Sequence, residues 1–112
     1  MDFKIKYSNL SENTPFIRLS ISFIASRMDF SLDDIEDLKL MATEACNMQI
    51  GRSDYIDCTV FTDDDKLVIT FDYDNNGKRP ENEKDKISQM IIESLSDRSE
   101  FSDGHIVIEK DR

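Results

Sequence analysis

Asp72, Asp74 and Asn76 stand at alternate positions, Gly77 follows them, and Glu83 closes a twelve-residue stretch. Oxygen donors at that spacing, with glycine in sixth place, match a calcium loop. The carboxylates suit a hard cation, and the glycine allows the sharp turn around it. The residues before the stretch are β-rich, however, where such a loop expects a helix, and Arg79 occupies a place that is normally apolar. Arg18 is a second point of interest. It sits among apolar residues, where an arginine suits an interface anchor. Glu44 reads as an acid on a helix, and His105 has neither a nucleophile nor a metal partner nearby in sequence. Cys46 and Cys58 form no metal pattern and are too few for a disulfide framework. They read as reduced, buried thiols of a cytoplasmic protein.

The composition limits what these residues can serve. The 112 residues include 14 Lys and Arg against 24 Asp and Glu, a formal charge of −10. Nucleic-acid affinity comes largely from basic side chains that displace counterions, so a nucleic-acid partner is not expected. An anionic membrane is disfavoured for the same reason. The chain is not too polar to fold, because 38% of it is apolar, with seven Phe and three Tyr. A single domain over 1–112 is expected, burying roughly two-thirds of its unfolded surface. No segment reads as a secretory signal or a membrane span.

The elements that must position the candidate residues follow from periodicity. Phe3 to Tyr7 alternates apolar and charged, a strand with one wet face. Thr14 reads as an N-cap with Pro15 in the first helical position, and the helix runs to about Met28. It carries two apolar stripes: Ile17, Ile21, Ile24 and Met28 on one side, Phe16, Leu19 and Phe23 on another. One stripe would cover the sheet, and the second predicts a homodimer contact. Ser31 and Asp34 form an approximate capping box for a second helix, stopped by Gly51. Strands follow at Tyr55–Thr62 and Lys66–Tyr73 around the Asp63-Asp64-Asp65 turn. A helix over Lys84–Ser96 and a final strand at His105–Ile108 complete the order β-α-α-β-β-α-β. The expected fold class is α+β: an antiparallel or mixed sheet with helices on one face, two layers in all.

Three patches carry a resemblance. They are Phe16-Ile-Arg18 continuing to Ile24-Ala-Ser-Arg-Met28; Asp34-Ile-Glu-Asp-Leu-Lys39 running into Glu44-Ala-Cys46; and Met90-Ile-Ile-Glu93-Ser-Leu95-Ser-Asp97 with the closing strand. With the element order, they resemble the bacterial anti-sigma factor serine kinases, which have the gyrase/histidine-kinase type of ATPase fold. The resemblance implies a Glu-x-x-x-Asn pair on the second helix: the Glu for the attacking hydroxyl, the Asn for Mg²⁺ on ATP. Glu44 is present, but Met48 stands four residues later and Asn47 only three. The resemblance also implies an adenine-reading Asp followed by glycines. Here Asp74 or Asp72 remains without the close glycine. The glycine-rich lid is replaced by Asp85-Lys-Ile-Ser-Gln89, and only Lys78 to Asp85 is left to form it. Phosphate cradling needs backbone N–H groups that side chains obstruct.

The resemblance therefore implies a regulator with a degenerate nucleotide site and no kinase activity, in which Glu44 is vestigial and Asn47 and Asp74 are remnants of the cofactor site. It implies a sigma factor or an anti-anti-sigma protein as partner, held by Arg18 and Phe16 in the pattern Asn13-x-x-Phe16-x-Arg18. No cofactor is expected unless the site is retained, in which case Mg-ATP and an active serine/threonine kinase are the alternative. A calcium module on Asp72, Asp74, Asn76 and Glu83 is the second alternative.

Overall fold

The computed structural model describes residues 2–75 and 79–112. Five strands form one sheet: β1 (Asp2–Ser8), β2 (Tyr55–Thr62), β3 (Lys66–Asp72), β4 (Arg98–Ser102) and β5 (His105–Asp111). Their order is β1-β2-β3-β5-β4, and every pair is antiparallel. The period of two is visible in the register. Ile5, Cys58, Phe71, Ile106 and Phe101 lie in one row across the sheet and belong to or pack on the core. The adjacent row, Lys6, Asp57, Asp72, His105 and Ser102, is on the open face.

Three helices cover the apolar face: α1 (Thr14–Arg27), α2 (Leu32–Gln49) and α3 (Glu83–Leu95). α2 lies between the other two. It enters the core with Leu38 and Met41 and with the small residues Ala42 and Ala45, all fully buried. α1 contributes Ile17, Ile21 and Ile24. Each such side chain contributes roughly 1.5–3 kcal/mol on burial. Ser31 caps α2 by accepting from the Asp34 amide at 3.1 Å, as its spacing predicts. Lys110 of β5 joins three elements. Its ammonium donates to Leu95 O at 2.9 Å and lies 3.7 Å from Asp34 and 3.9 Å from Asp37.

The α+β class and the single helical layer agree with the sequence reading, and several details differ. A fifth strand, β4, precedes the Asp103-Gly104 turn. Its polar sequence signals a strand only weakly, and pairing with β5 makes it one. Thr14 is already helical. Asn13 is the N-cap, and its side chain donates to Ser8 O at 2.7 Å and leaves the helix uncapped. A short 3-10 turn, Ser11–Asn13, leads into it. The third helix begins at Glu83 with Asn82 as N-cap, and β3 ends one residue early, at Asp72.

Candidate functional site

The last carbonyls of an α-helix have no partner within it. At the end of α2, where Gly51 turns the chain with φ +81°, two arginines supply the missing donors. Arg52 Nε donates to Met48 O at 2.8 Å; Arg79 Nη2 donates to Met48 O at 2.9 Å and Arg79 Nε to Ile50 O at 2.6 Å. Cations at this end also suit the helix dipole.

The same guanidiniums reach the start of α3. Asn82 and Asp85 form a reciprocal capping box there, each side chain accepting from the other residue's amide, at 3.0 and 3.1 Å. The Asp85 side chain is only 5% exposed. It accepts from Arg52 at 3.2 Å and from both terminal nitrogens of Arg79 at 3.0 Å. Burial works against its charge, but the Arg79 bonds, the Asn82 amide and the two guanidinium charges outweigh it. They hold the carboxyl below its ordinary range.

Beside this junction a cleft of about 450 Å³ opens between α2 and α3. Glu44, Asn47, Lys84, Ile87 and Ser88 line it with Arg79. The Ser88 hydroxyl donates to Glu44 Oε1 at 2.8 Å. Asn47 shares the cleft with Glu44, as a three-residue step on a helix allows. Met48 is half-buried and packs against the core, with one side toward a second hollow that holds Tyr73 and Phe101. Asp74 is not in the cleft. It lines a hollow beside Lys6, Tyr55, Asp57 and Asp72. The residues assigned to a nucleotide from sequence are thus divided between two places.

The calcium stretch lies partly outside the described residues, at Asn76 and Gly77. Of its described members, Asp72 faces His105 Nδ1 at 2.6 Å, and Glu83 opens α3. Among the described residues no group of three His, Cys, Asp or Glu side chains is placed to hold a metal.

Arg18 is half-buried between α1 and α2. Its guanidinium donates to Thr43 Oγ1 at 3.4 Å, and among the described residues it has no carboxylate partner. Nearby on α1, Phe16, Leu19 and Phe23 are each more than 60% exposed.

Sequence reasoning did not find Ser88, nor the joint role of Arg52, Arg79 and Asp85. Only the Asn82-x-x-Asp85 cap has a readable spacing. It also did not find the polar pocket beneath α2. There the Tyr7 hydroxyl lies 3.7 Å from Cys46 Sγ and donates to Gln49 Oε1 at 3.5 Å. Both cysteines are free and buried. Burial, and then the neighbouring Cys46, push the Cys58 thiol up to about 12, so it is a poor nucleophile.

No protein-family model matches the chain. Individual relatives do. The serine-protein kinase RsbW of Bacillus licheniformis is 32% identical over 109 residues, covering 77% of this chain and 68% of the relative. The protein of that name from Bacillus velezensis is 51% identical over 42 residues, and that from Bacillus subtilis 43% over 42. Those two matches cover 38% of this chain and 26% of each relative.

Proposed function

The chain belongs to the family of the RsbW serine-protein kinases, and from that premise we propose that it is an anti-sigma-type regulator, one domain acting in the cytoplasm, that holds a sigma factor or an anti-anti-sigma protein without phosphorylating it. The observation that carries this reading is the ionic junction between α2 and α3. A magnesium triphosphate needs cations, amides and glycines around its phosphates. Here the Glu44 and Asp85 carboxylates line the cleft, and Arg79 is engaged by Asp85 and by the last carbonyls of α2. Among the described lining residues Lys84 is the only other cation and none is a glycine, so they do not suit the group. Binding then rests on α1: Arg18 is a cation without a carboxylate partner among the described residues, and Phe16 offers an exposed ring on the same helix. A second copy is the occupant we assign to the outer ridge of α1, Phe16, Leu19 and Phe23.

The second reading, an active serine/threonine kinase, draws support from one arrangement: Glu44, Asn47 and Lys84 share the cleft. In it Glu44 would accept the hydroxyl proton and Asn47 would hold the metal. One experiment separates the readings. Sigma factors and anti-anti-sigma proteins of the host are captured on the native protein and on Arg18→Ala, each with and without Mg-ATP. The expected result is capture by the native protein that ignores Mg-ATP, no phosphoserine on the partner, and loss of capture by Arg18→Ala. Phosphorylation of a partner serine would establish the kinase reading instead. Undiminished capture by Arg18→Ala would remove α1 from the role.

A further inference from the structure

We propose that the second copy seated on the ridge of α1 also pairs its β1 with this β1, antiparallel and centred on Lys4, so that one two-fold contact joins two five-stranded sheets into one of ten strands. The pairing rests on the reading of the ridge as a self-contact and specifies the rest of that interface. Three features carry it. The first is an open edge. β2 pairs with one side of β1 along all seven residues, and among the described residues the sheet order leaves the other side without a strand. Such an edge is a template for a further strand. The opposite edge is different. β4 has five residues, and Arg98 on it is paired with Glu109 and Asp111, the charged kind of edge that discourages pairing.

The second is continuity with the ridge. A groove of about 390 Å³ lies between β1 and α1, lined by Phe3, Leu19, Phe23 and Ile24 with Asp2 and Ser20. The ridge residues Leu19 and Phe23 are thus one wall of the space beside the edge. A two-fold axis perpendicular to the sheet, between the two β1 strands, sets α1 opposite its own copy on the same side of the sheet. The two ridges then meet above the new strand pair and close the groove. Phe3 and Ile5, which pack on the core but are only half-buried in one copy, are covered with them.

The third is the order of side chains along β1. Asp2, Lys4 and Lys6 follow one another on the open face, all exposed, and Phe3 and Ile5 lie on the other. A two-fold contact repeats each of its pairs, because residue i meets j and j meets i. Centred on Lys4, the pairing sets Asp2 beside Lys6 twice and Phe3 beside Ile5 twice. Opposite charges, and an aromatic ring beside a β-branched side chain, each stabilise an antiparallel pair. Lys6 keeps Asp57 of β2 on one side and gains Asp2 of the second copy on the other. The one like pair, Lys4 with its own copy, falls on the axis, where two exposed side chains can lean apart. Alignment of the whole strand, centred on Ile5, would instead set Lys4 against Lys6 twice and leave Asp2 opposite Ser8. Charge therefore selects the register centred on Lys4.

The test is disulfide cross-linking of the whole protein. Cys46 and Cys58 are buried, so a cysteine placed on β1 is the accessible thiol. Oxidised with diamide, Lys4→Cys should give a linked dimer about tenfold faster or more than Glu100→Cys, which is exposed on the far edge of the sheet. Adding Leu19→Asp to Lys4→Cys should remove the linkage, because ridge and edge belong to one contact. Asp2→Lys should weaken self-association about tenfold in sedimentation, since both of its pairs turn repulsive. Cross-linking no faster at Lys4→Cys than at Glu100→Cys, in a protein that sediments as a dimer, would overturn the pairing and leave the ridge as the self-contact. Linkage that survives Leu19→Asp, or self-association indifferent to Asp2→Lys, would overturn it too. A protein that stays monomeric would remove the self-contact at the ridge and the pairing together.

Discussion

Asp85 caps the first turn of α3 and, with the same carboxylate, neutralises Arg52 and Arg79. Replacing it by alanine would leave two guanidiniums without a counter-charge at a half-buried junction and would remove the cap. The expected loss is about 3 kcal/mol of folding stability, read from urea unfolding. The pH dependence has a definite sign. A carboxyl held below its ordinary value in the folded state contributes fully above the unfolded value of about 4. That contribution is lost as pH falls through the lower, folded one. The native protein should therefore lose more stability on acidification below about pH 4 than Asp85→Asn does. An equal loss in the two would assign the acid sensitivity to other carboxylates. At this scale the sequence was only partly legible. Glu44 and Asn47 sit three residues apart on a helix, and their common cleft follows from that spacing. Arg52, Arg79 and Asp85 are separated in the chain and meet only when the end of α2 is set against the start of α3, so no local pattern announces them.

At the level of elements, the β4–β5 hairpin depends on Gly104. Its φ is +73°, and a Cβ built on it would lie 2.4 Å from Tyr73 O, a backbone atom that cannot rotate away. The Tyr73 amide in turn donates to Gly104 O at 3.0 Å, which ties the hairpin turn to the end of β3. Gly104→Ala combines the left-handed penalty with that clash. A loss of about 2 kcal/mol or more is expected in thermal or urea unfolding. A change within error would mean that the turn can rearrange freely. The turn itself was readable from Asp103-Gly104, yet β4 in front of it was not. Arg98-Ser-Glu-Phe-Ser102 contains a single strong strand former, and its conformation is set by its neighbour β5. β2 was readable end to end because it is rich in β-branched and aromatic residues, whereas which side chains turn inward was not: Phe61 is exposed and Thr62 buried. The start of α1 was misread by one residue because the Asn13 side chain is drawn off to Ser8.

For the whole molecule, the exposed ridge of α1 is the feature with the widest consequence. Phe16, Leu19 and Phe23 recur at helical spacing and remain uncovered in one copy of the chain. Sedimentation velocity at high micromolar concentration should show self-association, and Phe16→Asp or Leu19→Asp should abolish it. A native protein that stays monomeric there would leave the ridge to another partner. The position of β5 has a different consequence, in the order of synthesis. β5 lies between β3 and β4, although α3 and β4 separate it from β3 in the chain. A ribosome therefore releases β1, α1, α2, β2 and β3 while the inner edge of β3, next to Leu67, Ile69 and Phe71, still has no partner. Contacts so distant in sequence form late, and an unpaired edge beside apolar side chains attracts other chains until they do. The nascent protein should thus be far more prone to aggregate than the finished one. Lys110 settles against Asp34 and Asp37 only when β5 docks.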